Sequence, residues 1–65
     1  MQVVINGEQT TLEGAASVDD LIRLLDIQGK IAVEINGEIV PRSRFAVRGL
    51  NEGDRIEIVR AIGGG

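Results

Sequence analysis

An α+β fold, built as one mixed sheet of roughly four to five strands with a single helix across one face, is predicted from three features of the sequence. Two Asn-Gly pairs, at 6–7 and 36–37, each stand between segments of alternating apolar residues. A capped apolar stripe at helical spacing lies between them. A last alternating segment, following a turn over residues 51–54, closes the chain's sequence of elements.

Met1, Val3 and Ile5 alternate with Gln2, Val4 and Asn6, and Asn6-Gly7 supplies the two left-handed residues of a tight hairpin turn. With Asn6 and Gly7 as the loop, Ile5 falls opposite Glu8, Val3 opposite Thr10 and Met1 opposite Leu12. Ser17 reads as a helix N-cap, with Asp20 three positions on as a shortened capping box and Asp19 adding negative charge at the dipole's positive end. Those placements explain the aspartates without a metal. Val18, Leu21, Ile22 and Leu25 follow at i, i+3, i+4 and i+7, a stripe for a helix of two to three turns that ends near Gly29.

Ile31, Val33 and Ile35 repeat the strand alternation, and Asn36-Gly37 repeats the turn, setting Glu38 opposite Ile35 and Val40 opposite Val33. The tetrapeptide Ile-Asn-Gly-Glu therefore occurs at 5–8 and 35–38, and it reads as one turn used twice, not as an internal duplication. Pro41 cannot donate a ladder hydrogen bond and should end the strand. Residues 42–50 are expected to cross irregularly, anchored by Phe45, with Val47 as a second candidate. The final strand, residues 55–62, turns Ile56 and Ile58 inward and Glu57 and Val59 outward. After a long crossing this strand is free to lie centrally beside the first.

The bulk composition narrows function. A chain of 65 residues supports one core only. It carries no Cys and no His, which removes thiolate nucleophiles, disulfides, most zinc ligands and the commonest general base. A net charge of −3 and a single aromatic residue, Phe45, argue against a nucleic-acid partner. No apolar run approaches the roughly 20 residues of a membrane span, and the start of the chain lacks the charged and apolar regions of a signal peptide. A cytoplasmic location, with no membrane partner, is the expectation.

The feature that carries chemistry is Gly63-Gly64-Gly65. Glycine loses the most conformational entropy on ordering, so stability gives no reason for it there. A frayed end or a tag remnant is the plain alternative. The functional reading is a tail that only backbone can thread: three extended residues span roughly 10 Å, enough to carry a terminal carboxylate into another protein's nucleotide site. Gly64 and Gly65 are expected to make no stable contacts in the free protein.

The Met1-Gln2 start, Ile35-Asn36 followed by Ile39-Val40-Pro41-Arg42, Gly53-Asp54 before the last strand and the Gly64-Gly65 end together resemble the ThiS family of thiamin-biosynthesis sulfur carriers, along essentially the whole chain. Two positions depart from the pattern: Phe45 stands where tryptophan is frequent, and Gly63 where alanine is common. The resemblance implies a ubiquitin-like β-grasp domain over residues 1–62 with a flexible glycine tail at 63–65. It implies a carrier and not an enzyme. Gly65 would be adenylated and then sulfurated to a thiocarboxylate, with Gly63 and Gly64 threading the partner's channel. No cofactor is expected on the chain itself, ATP being used by a ThiF-like adenylating partner. A ThiG-like thiazole synthase would receive the sulfur, and a cysteine desulfurase route would supply it. The free chain is expected to be a monomer.

Partner docking is expected on the outer side of the last strand, through Val59 and Ile62, with Arg60 and Arg42 steering toward acidic partner surfaces. Three alternatives remain at this stage: a carrier for molybdopterin or another pathway, a protein modifier joined through Gly65 to a lysine, and an interaction module using the scattered arginines.

Overall fold

The computed structural model describes residues 1–60. Five strands form one sheet in the order β2-β1-β5-β3-β4, with β1 at Gln2–Ile5, β2 at Glu8–Thr11, β3 at Ile31–Ile35, β4 at Glu38–Val40 and β5 at Arg55–Arg60. Helix α1, Val18–Leu24, covers one face. β5 is central, parallel to β1 and antiparallel to β3. This is the β-grasp layout.

Both hairpins have the register their turns dictate. Ile5 pairs with Glu8 and Val3 with Thr10, while Ile35 pairs with Glu38 and Val33 with Val40. Asn6 and Asn36 take φ of 49° and 52°, and Gly7 and Gly37 follow at 84° and 87°, the left-handed pair that matches a hairpin's twist.

Ser17 caps α1 in a full capping box: its side chain accepts from the Asp20 N–H, and the Asp20 carboxylate accepts from the Ser17 N–H. The helix stops sooner than its apolar stripe suggests. Asp26 takes φ 53°, its N–H donates to Arg23 O, and the Ile27 N–H donates to Ile22 O, a Schellman closure with aspartate where glycine is usual. Gly29 therefore does not end the helix. Leu25 sits at the C-cap and is 39% exposed, because the third turn that would point it inward never forms.

Val3, Val18, Leu21, Val33, Ile35 and Ile56 are the most deeply buried side chains. The crossing segment adds Phe45 and Leu50. It contains a short 3-10 turn, Arg42–Arg44, and it answers the helix's open N-terminal donors: the Val18 N–H bonds Arg48 O and the Asp19 N–H bonds Phe45 O. Val47 does not anchor it. It follows a turn in which its N–H bonds Arg44 O, and it is 70% exposed.

The Asp20 carboxylate is held below its ordinary value of 3.8. The Ala16 N–H, at 3.0 Å, is the main cause; the Ser17 N–H and hydroxyl and the Arg23 charge act in the same direction, against partial desolvation. A carboxyl whose folded value is depressed contributes stability above its unfolded value and loses it as pH falls through the folded one. Below about pH 4 the melting temperature should therefore fall more steeply in the wild type than in Asp20→Asn. Parallel Tm profiles from pH 5 down to pH 2 would remove Asp20 from the acid transition.

Candidate functional site

The strand that leads to the glycine tail is held on both sides. The β1 ladder pairs Val4 with Arg55 and Ile5 with Ile56, and the β3 ladder runs from Ile35–Ile56 to Ile31–Arg60. Its entry is set by Asp54, 5% exposed, whose carboxylate accepts from the Asn51 N–H at 2.8 Å and from the Asn36 Nδ2 at 3.0 Å. Asn36 Oδ1 in turn accepts from the Arg55 N–H at 3.0 Å. Burial of this carboxylate is compensated by hydrogen bonds, so it reads as a structural anchor of the turn.

Val59 lies on the outer face, 59% exposed, as alternation requires. Its neighbours there come from elsewhere in the chain. Ala32 is its cross-strand partner, and Ile39, 75% exposed, stands opposite Glu34. Together with Val33 and Glu57 these residues line a shallow depression of about 180 Å³. Glu34 and Glu57 face each other directly across the ladder, a like-charge pairing that disfavours the free sheet. Arg55 shares this face at the beginning of the strand.

The two arginines expected to assist docking lie on the other side. Arg60 has the parity of Ile56 and Ile58 and pairs with Ile31. Arg42 lines a groove of about 330 Å³ with Asp19, Ile22, Ile31 and Phe45, beside the helix. Neither forms an ion pair among the described residues. Val59 and the arginines thus border opposite faces of the sheet, and the face around Val59 carries carboxylates. Ile62, Gly63, Gly64 and Gly65 lie outside the described residues.

Ala32 and Ile39 were not legible as site residues. Their alternation was visible, but the adjacency of β3 to β5 was not. Among the described residues, no group of three or more potential metal ligands occurs, and no helix is long and apolar enough to cross a membrane.

The sequence and the fold both have relatives. The ThiS family model matches residues 3–65. Over its full length the chain is 33% identical to the sulfur carrier protein ThiS of Escherichia coli, covering all of that protein. It is 46% identical to part of a thiazole synthase of Paramagnetospirillum magneticum, and it spans only about a fifth of that protein's length (20%). The crystal structure of the thiamine biosynthesis protein ThiS from Geobacter metallireducens superposes with a TM-score of 0.86 at 32% identity, with both chains fully covered. With the central fifth strand, the single covering helix and the match through residue 65, the chain belongs to the ThiS family of ubiquitin-like sulfur carrier proteins, which are not themselves enzymes.

Proposed function

We propose that this protein carries sulfur for thiazole formation in thiamin biosynthesis, as a thiocarboxylate on Gly65. The observation that carries the reading is the family match itself, which runs through residue 65 and so includes the diglycine. In the proposed cycle a Gly65 carboxylate oxygen attacks the α-phosphorus of ATP in a ThiF-like partner and pyrophosphate leaves. A persulfide sulfur, supplied by a cysteine desulfurase route, then attacks the acyl carbon and AMP leaves. Cleavage of the resulting acyl disulfide by a thiol leaves the thiocarboxylate on Gly65, and a ThiG-like thiazole synthase receives the sulfur. Residues 63–65 serve as the tail, because a side chain there would not pass a narrow channel.

Docking in this reading uses the outer face at Val59, Ile39 and Ala32. The opposed Glu34 and Glu57 favour a partner surface that presents a cation between apolar contacts, since such a group would relieve their repulsion. Arg42 and Arg60 are then left to a second contact on the helix side.

Intact-mass spectrometry of the protein recovered from its own cells, before and after incubation with ATP, the adenylating partner and a persulfide donor, should show one oxygen replaced by sulfur at the C-terminus. In a binding titration against the adenylating partner, Val59→Ala should weaken affinity by about fivefold or more, the loss typical of a real anchor. An isopeptide-linked conjugate in place of the sulfur product would support a protein modifier. Unchanged affinity would return Val59 to ordinary surface.

A further inference from the structure

The β1 side of β5 runs out of strand before β5 ends. β1 pairs only as far as Ile5–Ile56, then the chain turns away at Asn6, although the β3 side continues to Arg60. One backbone bond follows, from the Asn6 N–H to Ile56 O at 2.8 Å. Beyond it, Ile58 would have an N–H and a carbonyl facing a vanished neighbour.

The Asn6 carboxamide takes that neighbour's place. Its Oδ1 accepts from the Ile58 N–H at 2.8 Å and its Nδ2 donates to Ile58 O at 3.2 Å. One acceptor and one donor aimed at a single residue reproduce what the next peptide unit of a parallel strand would offer. Asn36 does something different in the corresponding turn: it bonds Arg55 and Asp54, at the start of β5. The repeated Asn-Gly turn therefore grips the central strand at two points, Asn36 at its start and Asn6 further along toward the tail.

Resting on the carrier reading above, we propose that Asn6 is a positioning residue for the acyl-transfer chemistry. Its side chain holds Ile58 on the edge that β1 leaves open, as β3 holds Val59 and Arg60 on the other, so that the strand leading to the tail is fixed as far as Arg60. A tail that starts from a fixed strand end has fewer arrangements to search before its carboxylate meets the α-phosphate, an advantage felt at the chemical step. Either half-substitute falls short: glycine keeps the left-handed backbone without the amide, and aspartate keeps the acceptor but sets a second acceptor against the Ile58 carbonyl.

The test compares Asn6→Gly, Asn6→Asp and Asn36→Gly with the wild type, each first shown to melt cooperatively. Amide exchange at Ile58 should quicken about tenfold or more in Asn6→Gly. Single-turnover adenylation at saturating carrier, with the ThiF-like enzyme and ATP, should slow about tenfold in both Asn6 variants with KM little changed. Asn36→Gly should leave that rate near wild type. An unchanged rate in Asn6→Gly, or an equal loss in Asn36→Gly, overturns the positioning role. Unchanged exchange at Ile58 overturns the clip itself. A wild-type protein that is not adenylated at all overturns the carrier reading and the positioning role with it, while exchange at Ile58 still decides the clip.

Discussion

Deleting Gly65, or replacing Gly64 with Val, is expected to abolish acyl-adenylate formation while leaving the melting temperature within about 2 °C of wild type. The two effects separate because they rest on different parts of the chain. The buried apolar core of the described residues runs from Val3 to Ile56, so no core side chain is touched by a change at 64 or 65. The proposed chemistry, by contrast, needs one carboxylate at one distance from the nucleotide. Removing a residue withdraws it by up to about 3.5 Å, and a β-branched side chain obstructs a path cut for bare backbone. Adenylation can be followed by ATP–pyrophosphate exchange and unfolding by circular dichroism. Undiminished exchange with the truncated protein would refute the assignment of Gly65.

Leu21→Ala should cost about 2–5 kcal/mol, the range for truncating a buried leucine that leaves a cavity. Leu21 has no exposed surface (0%) and lies under the sheet with Ile35 and Ile56 in the same core cluster. A core in a domain of this size rarely supplies more than about 3–5 kcal/mol in total. The variant is therefore expected to lose most of its stability at 25 °C. Leu24→Ala supplies the contrast on the same helix: Leu24 is 53% exposed, and its loss should stay within about 0.5 kcal/mol. Urea titrations of both variants decide the matter, and a Leu21→Ala midpoint near wild type would show that the helix does not carry the core.

How far the sequence could be read depended on the range of each interaction. The capping box at Ser17 and Asp20, and the Asn-Gly turns with their registers, were legible because each is completed within a few residues. The resemblance carried by Val40-Pro41-Arg42 and Gly64-Gly65 was legible for a different reason, since a pattern of residues can be matched without knowing how it packs, and Val40 is in fact buried in the core.

Other features were decided by which of several local closures won, or only when distant segments met. Asp26 ends the helix because its neighbours close a Schellman turn, at the cost of a left-handed aspartate that sequence preference argues against. Leu25 and Val47 kept apolar character without burial, Leu25 because the helix stops before its turn and Val47 because the turn closed onto Arg44 O leaves it exposed. Ile39 and Ala32 became neighbours of Val59 only through the strand order β5-β3-β4. Asn6 shows the division within one side chain. Its left-handed backbone follows from the Asn-Gly pair alone, but its carboxamide meets Ile58 across 52 positions of sequence. Local sterics fix the first; the second exists only because the sheet brings β5 alongside β1 and then lets β1 stop short.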